Sequence, residues 1–115
     1  MAGAYQPERG DFVYCDFTPH AGTEQAGRRP ALVLSPKAFN IRTGLLVACP
    51  ITNTGTGSPF EVALPKGTRL TGYVLSHQFR TLDWIARNVE KHSESTEDFM
   101  CEIIGRIEAI LAIDC

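Results

Sequence analysis

The residues best suited to chemistry lie in one short stretch, residues 22–30 (GTEQAGRRP). It combines the carboxylate of Glu24 with the guanidinium groups of Arg28 and Arg29. Pro30 fixes its own φ and pushes Arg29 toward an extended conformation, so Arg29 is predicted to project from the start of a strand. A fixed arginine suits a phosphate group, because its planar fork donates two hydrogen bonds at once. The alternative is a local Glu–Arg ion pair that tethers a loop, and composition alone favours that alternative.

Cysteine, histidine and serine residues give no support to a metal site or a nucleophilic triad. The four cysteines form no C-x-x-C pair and are predicted to be reduced thiols that mostly fill the core: Cys15, Cys49, Cys101 and Cys115. No glycine-rich loop opens a helix and no serine lies in a G-x-S-x-G setting, which argues against a nucleotide-phosphate cradle and a serine hydrolase. His20 and His92 lie in polar surroundings and are predicted to be exposed.

Length and composition bound the class of protein. The chain has 115 residues, 43% of them hydrophobic, which fits one globular domain spanning residues 1–115. The longest apolar run, residues 45–51, is shorter than the ~20 residues that cross a bilayer, and the N-terminus carries no apolar signal segment. We therefore expect a cytoplasmic protein with no membrane contact.

Charge is unevenly distributed along the chain, although the formal net charge is only −2. Residues 1–92 carry a balance of +3 and residues 93–115 a balance of −5. The basic body permits an anionic ligand, while the negative total argues against unselective, charge-driven binding of nucleic acid. Any nucleic-acid contact is expected to need a local basic patch.

Alternating or short apolar runs bounded by turn residues predict five strands. They cover residues 11–17, 31–35, 45–51, 60–64 and 72–76, with loops over residues 18–30 and 52–59. The first strand is expected to place different residues on its two faces: Phe12, Tyr14 and Asp16 on one, and Val13, Cys15 and Phe17 on the other.

The secondary structure of residues 81–91 is ambiguous in the sequence, whereas residues 95–111 clearly predict a helix. Residues 81–86 suit one helical turn that packs Leu82 and Ile85, whereas residues 87–91 suit a sixth strand. Farther on, Ser95 or Thr96 is suited to cap an amphipathic helix. Its apolar face recurs at the helical spacing: Phe99, Met100, Ile103, Ile104, Ile107, Ile110 and Leu111. Strands followed by one such helix predict a small, strongly bent antiparallel sheet or barrel that the helix covers.

An ordered series of motifs, together with residues 22–30, resembles the MazF/PemK/Kid family of toxin endoribonucleases. The motifs keep the family's order and spacing from about residue 8 to the C-terminal helix: residues 9–11 (RGD), 16–19 (DFTP), 22–36 (GTEQAGRRPALVLSP), 39–40 (FN), 50–52 (PIT), 72–75 (GYVL) and 78–83 (QFRTLD). One short motif would be weak evidence, whereas this series covers nearly the whole chain.

The resemblance implies a fold and an activity. The fold is α+β, mainly β: a small SH3-like (CcdB/MazF-like) antiparallel β-barrel with a C-terminal α-helix. The activity is that of a metal-independent, sequence-selective endoribonuclease without a cofactor, which cuts single-stranded RNA and so inhibits translation and growth. Attack by the ribose 2′-OH would leave a 2′,3′-cyclic phosphate and a 5′-OH. The partners implied are a cognate MazE-like antitoxin and a second copy of the chain, with no DNA expected for the toxin alone.

The resemblance also assigns candidate site residues. Arg29 matches the family's phosphate-stabilising arginine, Glu24 its acidic partner, and Thr52 a threonine at a strand end. Glu24 would act as base or orient Arg29, and the Thr52 hydroxyl would bond a phosphate oxygen; the alternative for Thr52 is a turn cap. Some relatives carry an aspartate at the position of His77 and an arginine at that of Leu75, so those roles are not transferred. A histidine there suits acid–base work, contact with a base, or packing at a dimer surface.

Binding of single-stranded RNA requires basic side chains along the backbone and aromatic faces under the bases. The candidates for RNA contact are Arg28, Lys37, Arg42, Phe17, Gln78, Arg80 and Arg87. Most other aromatics are predicted to be core residues: Phe12, Phe60, Tyr73 and Phe99. Residues 52–60 are expected to help decide which bases are accepted.

Two other functions compete with RNA cleavage. A non-catalytic, CcdB-like toxin would act by binding a protein, DNA gyrase, and would be indifferent to changes at Glu24 or Arg29. A decayed toxin would only bind its antitoxin. The intact motif from Glu24 to Pro30 argues against both, because it belongs to the RNA-cutting branch of the resemblance.

Overall fold

The computed structural model describes residues 4–17 and 27–113. The strands are β1 (Asp11–Phe17), β2 (Gly27–Val33), β3 (Leu45–Thr52), β4 (Glu61–Ala63), β5 (Tyr73–Leu75), β6 (Arg80–Asp83) and β7 (Glu90–Glu94). Helix α1 (Lys37–Thr43) lies between β2 and β3, a 3-10 turn (Ser76–Gln78) joins β5 to β6, and helix α2 (Glu97–Leu111) follows β7.

The strands form one antiparallel sheet in the order β4-β5-β3-β2-β1-β7. Strand β3 is central, because its first half pairs with β6 and its last two residues pair with β5. Within the described residues no ladder joins β4 to β7, so the barrel is open. The predicted fold class is confirmed in its antiparallel strands and its C-terminal helix, and the closure of the barrel is the part that is not observed.

Both faces of the sheet are buried against apolar clusters. On one face Phe12, Leu32 and Cys49 pack against four residues of α2: Phe99, Met100, Ile103 and Ile107. The other face holds Val13, Cys15 and Phe17 with residues of the neighbouring strands, chiefly Ala31, Val33, Leu46, Ala48 and Leu82. The predicted two-faced alternation of β1 is therefore confirmed.

Helix α2 begins where the sequence predicts. Thr96 is the N-cap and its hydroxyl accepts a hydrogen bond from the Phe99 N–H at 3.2 Å. The far end differs from the prediction, since Ile110 is 37% and Leu111 61% exposed. The last turn of the helix is therefore only partly covered by the rest of the chain. Among the described residues, no helix has both the length and the apolar content needed to span a membrane.

Two predicted segments are corrected by strand pairing. Residues 27–30, predicted as loop, open β2, because the edge of β1 continues to Phe17 and pairs with them; the predicted strand end at residues 34–35 lies outside β2. Residues 81–83, predicted as part of a helical turn, form β6, because the first half of β3 offers them an edge. Leu82 is buried as expected, whereas Ile85 is 69% exposed on the turn to β7. Strand β7 then confirms the sixth-strand interpretation, shifted toward residue 94.

Helix α1 is an element that the sequence did not reveal. Its buried residue is polar: Asn40 is fully buried, and its side-chain amide donates to the carbonyls of Pro7 at 2.9 Å and Ser35 at 3.0 Å. The Ser35 hydroxyl donates to Asn40 Oδ1 at 2.6 Å, and the Trp84 indole N–H donates to the Asn40 carbonyl at 2.8 Å. One asparagine thus joins α1 to the N-terminal segment, to the residues that follow β2 and to the β6–β7 turn.

Candidate active site

Arg29 and Thr52 lie on the face of the sheet that points away from α2. Arg29 is exposed and directly opposite Cys15 in the β1–β2 ladder, so its side chain shares the face of Cys15 and Phe17. The β2–β3 ladder ends at the pair Ala31–Pro50. Continuing this register by two residues sets Arg29 opposite Thr52. Both residues therefore belong to the same face of the sheet, on adjacent strands.

The same face opens into a cleft of about 450 Å³, a volume typical of small-ligand sites. It is lined by Phe17, Pro50, His77, Gln78, Phe79, Arg80 and Thr81. Thr52 lies two residues, about 7 Å, along β3 from Pro50, which lines the cleft. Arg29 lies the same distance along β2 from Ala31, the partner of Pro50. The lining residues, all from the part of the chain that the structure describes, include a cation and no acid. We call it the phosphate cleft, because its positive charge suits a phosphate group. Its lining residues come from β1, β3, the 3-10 turn and β6.

The aromatic and histidine side chains of the phosphate cleft have different roles. Phe17 is only 3% exposed, and the Arg80 guanidinium lies over its ring, 5.6 Å from the centroid. Phe17 is therefore a wall that orients Arg80 through a cation–π contact rather than a platform for a base. His77 is exposed, and its ring lies 6.2 Å from that of Phe60. Gln78 lies beside His77 and is half-buried.

Thr52 ends β3, is 9% exposed, and caps the turn that follows it, as the alternative for this residue predicts. Thr52 Oγ1 accepts a hydrogen bond from the Thr54 N–H at 3.1 Å, which leaves the hydroxyl hydrogen for another acceptor. Gly72 lies against it so closely that a Cβ at Gly72 would be 2.4 Å from the Thr52 carbonyl oxygen. Tyr73, predicted as a core residue, pairs with Thr52 and is 36% exposed. The register of β5 was the missing signal, and it makes Tyr73 an additional candidate for stacking against a base.

Arg28 points to the opposite face, where it is held by an ion-pair cluster. It donates to Asp16 Oδ1 at 3.0 Å and to the Asn88 carbonyl at 3.1 Å, and it forms an ion pair with Glu90. The Asn88 amide also donates to Asp16 Oδ2 at 2.9 Å. These hydrogen bonds, first from Asn88 and then from Arg28, lower the pKa of Asp16, and the bond to Asp16 raises the pKa of Arg28. The cluster joins the end of β1, the start of β2 and the β6–β7 turn.

The remaining basic candidates for RNA contact are spread over the molecule. Arg87 lies beside the cluster, with its guanidinium donating to the Asp16 carbonyl at 3.3 Å. Lys37 begins α1, and its backbone N–H donates to Glu8 at 2.9 Å. Arg42 is exposed near the end of α1. The structure thus brings Arg80 and Gln78 into the lining of the phosphate cleft, whereas Arg29, Lys37 and Arg42 are not among the residues that line it.

Several sequence predictions fall on residues outside the described ranges. Glu24, the proposed acidic partner of Arg29, is one of them, and so are His20 and Cys115. Of the described cysteines, Cys15 and Cys49 are buried and Cys101 is exposed. His92, predicted as exposed, is half-buried and meets the Tyr14 ring edge-on at 5.7 Å. Residues 4–17 and 27–113 contain no group of three or more His, Cys, Asp or Glu side chains that could hold a metal ion.

Comparison with known proteins matches the chain over nearly its whole length. A family model described as "PemK-like, MazF-like toxin of type II toxin-antitoxin system" matches residues 8–111. The endoribonuclease toxin MazF of Escherichia coli (strain K12) is 37% identical over 111 residues, which are 96% of this chain and 99% of that protein.

Two crystal structures from Deinococcus radiodurans are similar in fold as well as in sequence. MazF (Form-I) has a TM-score of 0.90 and 46% identity, covering 96% of this chain and 100% of the MazF chain. MazE-MazF (Form-II) gives a TM-score of 0.86 and 46% identity, again covering 96% and 100%. The match therefore includes a structure in which such a toxin is solved together with MazE.

Proposed function

Because the chain belongs to the PemK-like, MazF-like toxins of type II toxin–antitoxin systems and is an endoribonuclease toxin, we propose that it cuts single-stranded RNA at the phosphate cleft. The proposal is best supported by the strand registers, by which Arg29, Thr52 and Arg80 belong to the same face of the sheet. Side chains from three strands there offer donors to one phosphate and its neighbours, and the cleft beside them is large enough for a base.

The proposed reaction is an internal transesterification of RNA. The ribose 2′-oxygen forms a bond to phosphorus as its proton leaves, and the bond from phosphorus to the 5′-oxygen breaks. The products are a 2′,3′-cyclic phosphate on one fragment and a 5′-OH, which takes up a proton, on the other. Charge on the phosphoryl oxygens must be stabilised along this path, which is the largest contribution that preorganised donors can make.

Arg29 is proposed to supply most of that stabilisation. Its guanidinium donates two parallel hydrogen bonds to a phosphate, and it keeps its proton throughout. Thr52 adds its hydroxyl hydrogen to a further phosphoryl oxygen. Rotation of that hydroxyl costs little, because the Thr54 N–H already fixes the position of its oxygen. Arg80, oriented by Phe17, is proposed to hold the neighbouring phosphate of the strand.

The proton acceptor for the 2′-OH is proposed to be Glu24 or His77. Glu24 lies five residues before Arg29, in the segment that connects β1 to β2. His77 is an exposed ring on the wall of the phosphate cleft, and a histidine exchanges protons near neutral pH. Gln78 is proposed to contact a base, while Arg28, Lys37, Arg42 and Arg87 contribute positive charge along the strand.

The proposed partners are RNA, a MazE-like antitoxin and a second copy of the chain, and the work takes place in the cytoplasm. An antitoxin with an acidic segment would compete with RNA for Arg29 and Arg80. Dimerisation is supported by apolar side chains that this chain leaves exposed, notably Ile110, Leu111 and Ile113. A monomer mass at micromolar concentration in analytical ultracentrifugation would contradict the dimer.

The adjacent arginines provide a matched test of the site. We expect Arg29→Ala to lower the cleavage rate of single-stranded RNA at least a hundredfold, which is the usual loss when one such donor is removed. Arg29→Lys keeps the charge without the planar fork and should fall between Ala and wild type. Arg28→Ala removes the same side chain from the opposite face, and we expect a loss of less than about tenfold, because it removes charge without touching the reacting phosphate.

The proposal that Arg29 and Arg28 have different roles because they lie on opposite faces of the sheet can be contradicted directly. If folded Arg29→Ala cleaves RNA at a rate close to wild type, or if Arg28→Ala loses as much activity as Arg29→Ala, the proposed site is wrong. Circular dichroism and thermal unfolding of each variant separate a loss of chemistry from a loss of fold.

A further inference from the structure

The loop of residues 53–60, between β3 and β4, is folded around a single carboxylate. Glu61 Oε1 accepts hydrogen bonds from the N–H groups of Thr56 at 2.8 Å and Gly57 at 3.0 Å, and Oε2 accepts the Thr56 hydroxyl at 2.8 Å. Gly57 has a φ of +84°, a left-handed conformation that turns its N–H toward the carboxylate and that a Cβ would disfavour. Three donors on one carboxylate lower the pKa of Glu61, first through the Thr56 hydroxyl.

The rest of this loop is fixed to the sheet and to α2. The Thr71 hydroxyl donates to Asn53 Oδ1 at 2.9 Å, and Gly55 packs on the ring of Tyr73, where a Cβ would be 3.0 Å away. The Arg106 guanidinium of α2 donates to the Pro59 carbonyl. The Ser76 N–H and hydroxyl both donate to the Phe60 carbonyl, at 3.0 and 2.6 Å. A segment without regular secondary structure is thus held from its first residue to its last.

Both ends of the loop contact the phosphate cleft or its border. Thr52, the proposed phosphate donor, immediately precedes the loop, and Phe60 ends it against the ring of His77. The Ser76 contact joins Phe60 to the 3-10 turn that carries His77 and Gln78. In the middle of the loop, the N–H groups of Thr56 and Gly57 both donate to Glu61. If the scissile phosphate is bound at Thr52, a base next to it would be within reach of this part of the loop.

We infer that Glu61 is a positioning residue for base selection: it holds residues 54–58 in the one conformation that accepts the preferred bases. The inference rests on the proposed function and names a determinant of its specificity. Glu61 itself takes no part in the chemistry, because its carboxylate oxygens are occupied by Thr56 and Gly57. A loop released from this carboxylate would sample several conformations, and each would accept a different set of bases.

The test compares cleavage profiles on a single-stranded RNA pool of random sequence, with every cut mapped by sequencing from its 5′-OH end. For Glu61→Ala we expect the rate ratio between the best motif and its single-base variants to fall about tenfold, the size of effect expected when charge-assisted hydrogen bonds that hold a contact are lost. Glu61→Gln keeps the shape and part of the bonding, so it should restore most of the preference. Thr71→Val, which frees Asn53, should shift the profile in the same direction.

A matched control and a second readout make the inference refutable. Glu94→Gln alters a more exposed carboxylate that is bonded to Lys91 on β7, and it should leave the profile unchanged. Amide hydrogen exchange at Thr56 and Gly57 should be slow in wild type and fast in Glu61→Ala. An unchanged profile, an equal loss of rate on all sequences, or protected amides in Glu61→Ala would overturn the inference. A folded wild-type protein that cuts no RNA would instead overturn the proposed function on which it rests.

Discussion

Arg28 and Arg29 are adjacent in the chain, yet they have opposite roles because strand alternation sends them to opposite faces of the sheet. Arg28 is engaged by Asp16, Asn88 and Glu90, which fixes the start of β2. Arg29 projects from the same strand on the face that carries the phosphate cleft. A difference of one position in the strand thus separates a residue of a structural ion pair, Arg28, from a candidate catalytic residue, Arg29.

The resemblance implies catalytic roles for Arg29 and Thr52 and RNA contact for Arg28, but the sequence does not show that the two arginines lie on opposite faces of the sheet. Residues 27–30 contain glycine and proline and have no apolar periodicity, so they were predicted as loop, and in a loop both arginines are equivalent. Pairing with β1 supplies the missing alternation, and that pairing depends on residues 10 to 16 positions away in the chain. Tyr73 was mistaken for a core residue for the same reason, since only the register of β5 shows which way it points.

The cysteines give a residue-scale prediction about burial. Burial raises the pKa of Cys15 to about 11 and that of Cys49 to about 12, whereas Cys101 is exposed on α2. At pH 8 the two buried thiols stay protonated and shielded, so iodoacetamide should alkylate Cys101 at least a hundredfold faster than either, as followed by mass spectrometry of peptides. Cys101→Ser should remove the fast reaction among these three residues.

The raised pKa values also fix the sign of a pH effect on stability. In the unfolded chain these thiols ionise near pH 8.5, well below their folded-state values. Their contribution to the free energy of unfolding is therefore complete below that pH and is lost as the pH rises toward 11 and 12.

Alkylation of Cys49 as fast as that of Cys101 in the folded protein would contradict the assigned burial.

At the scale of elements, strands and α2 follow from local patterns, whereas α1 and β6 follow from tertiary contacts. The heptad-like spacing of α2 and the cap at Thr96 are visible in the sequence. Helix α1 lacks the apolar periodicity that usually predicts a helix. Its buried residue is the polar Asn40, whereas Phe39 is 40% and Ile41 48% exposed. In β6, the spacing of Leu82 and Ile85 mimics a helical turn, and only the open edge of β3 decides for a strand.

Asn40 carries the element-scale prediction. We expect Asn40→Ala to lower the free energy of unfolding by about 3 kcal/mol, because it leaves buried partners at Pro7 and Ser35 without their hydrogen bonds. Thr43→Ala is the matched control on the same helix, where an exposed hydroxyl bonds only to nearby backbone, and its effect should stay within about 0.5 kcal/mol. Urea unfolding measures both, and equal midpoints for the two variants would contradict the role of Asn40.

At the scale of the whole molecule, the two faces of the open barrel have different roles. Helix α2 covers one face and completes the core, which leaves the other face for the phosphate cleft and its border. The cleft collects residues from β1, β3, the 3-10 turn and β6, which are separated by up to 64 positions between Phe17 and Thr81. Composition and periodicity do not predict that these segments lie close together. The resemblance of the ordered motifs does predict it, because it implies the complete fold of the family.

The most direct test of the account is the chemistry of the cut ends. The folded protein, free of antitoxin, is incubated with mixed-sequence single-stranded RNA in excess EDTA, and the ends of the fragments are analysed. The proposed attack of the 2′-OH predicts fragments with 5′-OH and 2′,3′-cyclic phosphate ends, at the same rate with and without EDTA. Fragments with 5′-phosphate and 3′-OH ends, or intact RNA, would contradict the central claim.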